Sequence, residues 1–218
     1  MTGPPGPVIP EPARAGAMLP ASARRTLRPA TVSGQRYGAV PMSPDPSRTE
    51  LATRVHRASY LTGMFTLRSG VTSTEYFDKY RFEADPVLLH DLAVAMAPLV
   101  PPGIDALAGL ELGGVPLATM LSQVTGLPAR FVRKEAKTYG TCQLAEGGEL
   151  DGARLCVVED VVTSGGAVLD AARELRARGA VLDTVVCVID RESGGVDQLR
   201  AAGLELHALF TMTQLRPS

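Results

Sequence analysis

The feature that most constrains this chain is the alternation of apolar runs with helix-like segments that end in turn residues, over residues 48–211. The pattern predicts strands at 104–111, 129–133, 154–159, 182–190 and 204–211, and helices at 48–61, 85–98, 115–125, 166–178 and 196–202. Apolar strands separated by helices are typical of an α/β fold whose parallel sheet is covered on both faces. Ligands on such sheets bind beyond the carboxyl ends of the strands.

Residues 1–46 have a different composition, because they hold ten of the seventeen prolines and very few large apolar residues. Such a segment buries too little surface to offset its ordering entropy, so we predict a disordered extension over 1–46 and one folded domain over 47–218. A targeting peptide, or a natural start at Met42, remains an alternative explanation of this segment.

Composition and charge exclude several classes of function. A formal net charge of −1 gives no reason to expect a nucleic-acid or membrane partner. No apolar run approaches the ~18 residues that a membrane span needs. Cys142, Cys156 and Cys187 have no paired metal-ligand spacing, and the last two lie in Val-rich runs that predict buried strands. The cysteines therefore fit a reducing cytoplasm.

The most informative segment is residues 155–167, with the sequence LCVVEDVVTSGGA. A buried strand leads to two acids, Glu159 and Asp160, and then to a Thr-Ser-Gly-Gly turn that opens a helix. The glycines permit close approach, the hydroxyls donate, and the helix start offers free N–H groups, so the turn can hold a phosphate. The acids suit hydroxyl groups or a metal ion beside that phosphate. The alternative is an ordinary strand-to-helix turn with a Ser/Thr cap.

This segment resembles the phosphoribosyl diphosphate (PRPP) motif of the type I phosphoribosyltransferases. The resemblance implies that Glu159 and Asp160 contact the ribose hydroxyls and that the turn holds the 5'-phosphate. It also implies the family's parallel-sheet fold with a small N-terminal hood. The PRPP-binding residues implied here are Glu159, Asp160, Val161, Val162, Thr163, Ser164, Gly165, Gly166 and Ala167.

A second segment, residues 131–141 with the sequence FVRKEAKTYGT, places three cations within five residues at the start of a polar loop. A mobile cationic loop suits a diphosphate leaving group, whose charge grows as the bond to the sugar breaks. A solvated basic loop is the alternative.

This loop resembles the catalytic loop of the orotate phosphoribosyltransferases, which closes over PRPP in the neighbouring subunit of a dimer. The resemblance implies that Arg133, Lys134 and Lys137 bind the diphosphate, and that Lys137, Arg133 and Asp160 carry the catalysis. Tyr139, also expected at PRPP, stands where many members have histidine. Its reference pKa of about 10 means that the histidine's proton-handling role does not transfer.

Three further segments resemble the same family. Residues 65–70 followed by 76–79 resemble the hood over orotate, with Arg68, Tyr76 and Phe77 as contacts and Arg68 in place of the usual lysine. Arg191 follows a predicted strand and matches the arginine that binds orotate, together with Thr163. Residues 111–116 match the short diphosphate loop, without the Tyr-Lys pair of some members.

The resemblance implies that orotate and PRPP form orotidine 5'-monophosphate and diphosphate, a step of pyrimidine synthesis. It also implies a cytoplasmic homodimer with shared active sites and a Mg²⁺ cofactor held mainly by PRPP, with no metal ligand from the protein. Two alternatives stay open at this point: a purine or uracil phosphoribosyltransferase, and a PRPP-sensing regulator without catalysis.

Overall fold

The structure is a computed structural model, and it describes residues 48–66, 70–135 and 144–216. The prediction of disorder for 1–46 concerns residues outside these ranges, as do the predicted site residues Arg68, Lys137 and Tyr139.

A mostly parallel six-stranded sheet forms the centre of the molecule. Its strand order is β5-β4-β3-β6-β7-β8, and β5 alone runs antiparallel to its neighbour. The strands are β3 (Ala106–Leu110), β4 (Ala129–Val132), β5 (Ala145–Glu146), β6 (Arg154–Val162), β7 (Val181–Asp190) and β8 (Glu205–Thr211). The predicted α/β class with a parallel sheet is confirmed.

Helices cover both faces of the sheet. They are α1 (Arg48–Ser59), α2 (Tyr80–Ala84), α3 (Pro86–Met96), α4 (Gly114–Thr125), α5 (Gly166–Arg176), α6 (Gly195–Ala201) and α7 (Met212–Leu215), with a 3-10 turn at Ala97–Leu99. One core joins α1, α3 and α4 to the sheet, and a second core on the opposite face joins α5 and α6 to it. Leu107 of β3 points into the first core and Ala108 into the second, as the two-residue period of a strand requires.

Local signals fix the ends of the helices. The side chain of Asp85 accepts hydrogen bonds from the N–H groups of Val87 and Leu88, both at 3.0 Å, and Pro86 occupies the first turn of α3. Gly126 ends α4 with a left-handed φ of 77°. On α5, Val168, Ala172 and Leu175 recur at helical spacing and are buried.

The N-terminal hood is an antiparallel hairpin of β1 (Tyr60–Thr66) and β2 (Thr72–Phe77), with an irregular register between Thr62 and Phe65. The predicted helix 48–61 therefore ends two residues early, at Ser59, because β1 begins at Tyr60. The short elements α2, α7 and β5 were not predicted, since each is too short to show a period.

One difference from prediction changes the site. The strand predicted for 154–159 continues to Val162, because β7 pairs with it as far as the Val162–Asp190 pair. Asp160, which was predicted to follow the strand, therefore lies inside it together with Glu159.

Cys156 and Cys187 are free and buried in β6 and β7, as predicted, while Cys142 lies outside the described residues. Burial raises the pKa of Cys156 to about 12. Within the described residues, no helix has the length and apolarity that crossing a membrane requires.

Candidate active site

The two predicted acids are buried at the carboxyl end of β6. Glu159 is 8% exposed and Asp160 is fully buried. The Val161 N–H donates to Asp160 Oδ1 at 2.5 Å, and the Asp160 N–H lies 3.3 Å from Glu159 Oε1. Because β6 lies between β3 and β7, the loops that follow these two strands open at the same edge of the sheet as the acids.

A lysine that the sequence analysis left without a role contacts this pair. Lys79, in the link between β2 and α2, places its Nζ atom 2.6 Å from Asp160 Oδ2. The Lys79 side chain is one-third exposed, so the ammonium bridges the surface and the buried acid. The nearby carboxyl of Glu83, on α2, is also buried.

The charges of this cluster are unequally distributed. Burial, with the neighbouring Asp160 carboxylate, raises the pKa values of Glu83 and Glu159 well above the ordinary range of a carboxylic acid. Burial acts in the same direction on Asp160, but hydrogen bonds with Glu159, Glu83 and Lys79 lower its pKa overall. Asp160 is therefore the ionised member at neutral pH.

The turn that starts α4 passes directly over the acids. A Cβ atom added to Gly113 would lie 1.7 Å from Asp160 Oδ2 and 2.7 Å from Glu83 Oε1. Only glycine fits there, since real side chains do not approach so closely. This turn belongs to the segment 111–116 that was expected to contact diphosphate, and the structure places it beside Asp160 and Glu83.

The predicted phosphate turn has the expected form. Gly165 takes a left-handed φ of 82° and leads into α5 without a side-chain cap, so the first N–H groups of α5 have no capping side chain. Thr163, Ser164 and Gly166 are exposed. A Cβ atom on Gly195 would lie 2.4 Å from the Thr163 carbonyl oxygen, so the start of α6 packs closely against the turn.

The base of the cationic loop is held by acidic residues. The Lys134 N–H donates to Glu111 Oε2 at 3.1 Å, and Arg133 Nε lies 3.6 Å from Glu146 Oε1. Beside them is a cavity of about 560 Å³ that reaches the start of α5. Its lining combines the end of β3 and the loop base with α5, through Glu111, Arg133, Lys134, Ala167 and Asp170.

Arg191 follows β7 on a tightly held loop. The Arg191 N–H donates to the Val162 carbonyl at 2.9 Å, and its side chain is exposed. The next residue, Glu192, has a left-handed φ of 55°. Its Oε2 atom accepts hydrogen bonds from the N–H and the Oγ1 of Thr213, at 2.9 and 2.6 Å. The loop is therefore fastened to the start of α7.

The two aromatic residues predicted to contact orotate from the hood, Tyr76 and Phe77, lie in different environments. The Tyr76 ring is 42% exposed and stacks on Phe65 at a centroid distance of 5.5 Å, whereas Phe77 packs against the core. Neighbouring residues of a strand face opposite sides, so in this structure only the Tyr76 ring is open to a ligand.

The structure thus brings together the acids, the phosphate turn, residues 111–116, the loop base and the Arg191 loop at one edge of the sheet. Sequence reasoning singled out the segments that contain Lys79 and Gly113 but not their contacts with Asp160, and it missed Glu83. A signal existed for Lys79, since only three lysines occur among 22 basic residues. Glu83 had no signal, because its contacts depend entirely on tertiary packing.

Comparison with known proteins gives consistent matches. The family described as Phosphoribosyl transferase domain matches residues 100–201. An orotate phosphoribosyltransferase of a Nocardioides species is 56% identical over 165 residues, covering 76% of this chain and 92% of the relative. One from Methanocella arvoryzae is 44% identical over 153 residues, covering 70% and 87%.

Solved structures agree with these relatives. The Mycobacterium tuberculosis H37Rv orotate phosphoribosyltransferase, in complex with Fe(III) dicitrate, superposes with a TM-score of 0.71 at 32% identity. The match covers 80% of this chain and all of that one. The same enzyme in complex with PRPP gives a TM-score of 0.67 at 31% identity, covering 79% and 99%.

Proposed function

This chain belongs to the orotate phosphoribosyltransferase family, and on that premise we propose which of its residues bind the two substrates and which stabilise the leaving group. The enzyme is a pentosyl transferase that converts orotate and PRPP to orotidine 5'-monophosphate and diphosphate in pyrimidine biosynthesis. We assign the roles of its residues from their positions at the carboxyl ends of the parallel strands.

The 5'-phosphate of PRPP binds at the turn from Thr163 to Ala167. The observation that carries this assignment is the start of α5, where a left-handed Gly165 and exposed hydroxyls precede N–H groups that have no side-chain cap. A dianionic phosphate gains hydrogen bonds from those groups and a favourable interaction with the helix dipole. The ribose then extends toward Glu159 and Asp160.

The diphosphate binds between the loop base and residues 111–116. Two cations of the loop base, Arg133 and Lys134, support this assignment, since they line a cavity of about 560 Å³ that reaches Ala167 near the start of α5. Lys137 and Tyr139 follow on the same loop and complete the contact. The cations Arg133, Lys134 and Lys137 stabilise the charge that develops on the diphosphate as the C1'–O bond breaks and orotate N1 attacks C1'.

Orotate binds between the hood and the Arg191 loop. The guanidinium of Arg191 is exposed, and among the described residues it forms no ion pair, so it can hold the carboxylate or carbonyl oxygens of orotate. The exposed Tyr76 ring is the hood contact that the geometry favours. Arg68 and Thr163 complete the set proposed for orotate, while Phe77, also predicted there, packs against the core and supports the hood from inside.

Mg²⁺ is the proposed cofactor, and it neutralises part of the charge of PRPP. Within the described residues, no group of three or more His, Cys, Asp or Glu side chains is arranged to hold an ion. In this proposal the ligands of Mg²⁺ come mainly from the oxygens of PRPP, as the family resemblance implies. We also propose a cytoplasmic homodimer in which the 133–141 loop serves the neighbouring site, with light scattering as the test of its mass.

Substitution of Lys137 tests the leaving-group assignment. Removing one such charge-stabilising contact costs on the order of 10²–10³ in turnover, so Lys137→Ala should lose at least about a hundredfold in kcat. The thermal transition should stay that of the unsubstituted enzyme. A Lys137→Ala enzyme with nearly full kcat would remove this residue from the mechanism.

A further inference from the structure

Lys79 links the hood to the buried acids. It stands two residues after the end of β2, and its ammonium lies 2.6 Å from Asp160 Oδ2. The Asp160 side chain is completely buried, whereas the Lys79 side chain is one-third exposed. Oδ1 accepts the Val161 N–H, whereas Oδ2 has the Lys79 ammonium as its ionic partner.

Glu83 is the third member of the cluster. It lies one turn after Lys79, on α2, and is 7% exposed. Its Oε1 atom is buried and receives no hydrogen bond from any donor in the described residues. A methyl group on Gly113 would meet both this atom and Asp160 Oδ2. Two carboxyl oxygens so close together are compatible when one group keeps its proton and donates it to the other.

The cluster therefore holds three carboxyl groups and one ammonium. Glu159 and Asp160 come from β6, Glu83 from α2 and Lys79 from the link before α2. The negative charge of nearby Asp78 also raises the pKa of Glu83. One ammonium can balance the charge of one ionised carboxyl group. Three ionised carboxylates in the same buried site would repel one another. The lowered pKa of Asp160 and the raised pKa values of Glu83 and Glu159 agree with this distribution.

We propose that Lys79 and Glu83 are positioning residues for PRPP, which keep Asp160 ionised and correctly oriented behind the ribose. This inference rests on the proposed role of Asp160 at the ribose. Lys79, at the end of the hood, supplies the positive charge that pairs with Asp160. Glu83 keeps its proton and donates a hydrogen bond to the same carboxylate beside Gly113. The hood and the ribose site are thereby joined through one ion pair.

The primary test compares Lys79→Met and Lys79→Arg with a matched control. Arg200→Met removes the cation of an exposed pair with Asp197, on the surface of α6, and should leave all constants unchanged. Lys79→Met should raise the KM for PRPP by about tenfold or more, which corresponds to ~1.4 kcal/mol. Lys79→Arg should recover a large part of that loss, and the KM for orotate should change much less in both variants.

The acid limb of the pH profile gives a readout that a purely structural lysine would not move. With Lys79 removed, the pKa of Asp160 should rise, so kcat/KM for PRPP should begin to fall at a higher pH in Lys79→Met than in the unsubstituted enzyme. Glu83→Gln, which keeps a neutral group of the same shape, should raise the KM for PRPP less than Lys79→Met does.

Combining Lys79→Met with Asp160→Asn distinguishes a positioning role of Lys79 from direct contact with PRPP. It also avoids the unpaired buried charge that could unfold the single variant. Lys79→Met leaves a buried charge unpaired, whereas Lys79→Met with Asp160→Asn removes both charges. If Lys79 acts through Asp160, the double variant should have the same KM for PRPP as Asp160→Asn alone. A further rise in the double variant would mean that Lys79 contacts substrate itself, and the inference would be wrong.

Two other outcomes distinguish the inference from the proposal on which it rests. If Asp160→Asn raises the KM for PRPP while folded Lys79→Met leaves it unchanged, only the role of Lys79 is overturned. If Asp160→Asn itself leaves the KM for PRPP unchanged, the ribose role of Asp160 is overturned and the inference is overturned with it.

Discussion

At the scale of the residue, the site depends on the close approach of a backbone turn to a buried carboxylate. Gly113 has no room for a Cβ atom, because that atom would overlap Asp160 Oδ2. Gly113→Ala should therefore displace the turn or the acid and destabilise the protein by about 1–3 kcal/mol, the usual cost of overpacking. Urea unfolding measures this change in free energy.

Gly166→Ala is the control for this stability measurement. A Cβ atom at Gly166 would meet only Ser164 Oγ at 3.8 Å, and the residue begins a helix, where alanine is favoured over glycine. Equal unfolding free energies for Gly113→Ala and the unsubstituted enzyme would contradict the geometry described for the turn.

Glu83 predicts a dependence of stability on pH. Burial, together with the neighbouring Asp160 carboxylate, raises the pKa of Glu83 from 4.5 to about 9, so over that interval the folded state keeps a proton that the unfolded state releases. The free energy of unfolding should therefore fall as pH rises from about 5 to about 9. Glu83→Gln cannot titrate and should flatten this fall, leaving the part due to Glu159.

Urea unfolding at several pH values checks the result, with Glu149→Gln at an exposed position as the control. If Glu83→Gln and the unsubstituted protein lose stability in parallel across this range, Glu83 does not keep its proton.

The residues of the site differ in how well sequence predicts them. Glu159, Asp160 and the Thr-Ser-Gly-Gly turn were predicted, because a strand, an acid pair and a helix start lie next to one another in the chain. Lys79 was missed as a partner of Asp160, since the contact joins residues far apart in sequence. The burial of Asp160 was also missed, because the turn at Gly113 and Lys79 reach its side chain only in the folded chain.

At the scale of the element, the loop after β7 is fixed by a second element that the sequence analysis did not predict. The α7 helix presents the N–H and hydroxyl of Thr213 to Glu192, and Glu192 keeps a left-handed backbone next to Arg191. A non-glycine residue in that conformation requires support from its surroundings. The pair therefore orients the loop that carries Arg191, the residue proposed to bind orotate.

Removing the hydroxyl tests this support. Thr213→Val keeps the shape of the side chain but loses the 2.6 Å hydrogen bond, so the KM for orotate should rise several-fold while the KM for PRPP changes little. Thr213→Ser should behave as the unsubstituted enzyme does, and Arg191→Ala should show the full effect. An unchanged KM for orotate in Thr213→Val, beside a raised one in Arg191→Ala, would show that the pair does not orient the arginine.

Long elements were predicted well and short ones poorly. Helices α4 and α5 and strands β7 and β8 begin within a residue or so of their predicted starts, because each has a clear period or a glycine at its boundary. The two-residue β5 and the four-residue α7 are too short for a pattern. The hood was predicted by resemblance, but its form as a hairpin with an irregular register comes from the pairing of β1 and β2.

At the scale of the whole molecule, the alternation of strands and helices was sufficient for the fold class. Parallel strands align their carboxyl ends, so segments that are distant in sequence reach one edge of the sheet. Periodicity could not predict which strands are neighbours. The order β5-β4-β3-β6-β7-β8 places β6 between β3 and β7, so the turn after β3 packs against its acid Asp160.

The central claim is that this edge of the sheet joins orotate to the ribose of PRPP. The most direct measurement follows the absorbance of orotate in a spectrophotometer after addition of PRPP and Mg²⁺ to the full chain. The account predicts a loss of orotate that requires PRPP and is reversed by diphosphate with orotidine 5'-monophosphate. No change with orotate, together with turnover of uracil or a purine base under the same conditions, would contradict it.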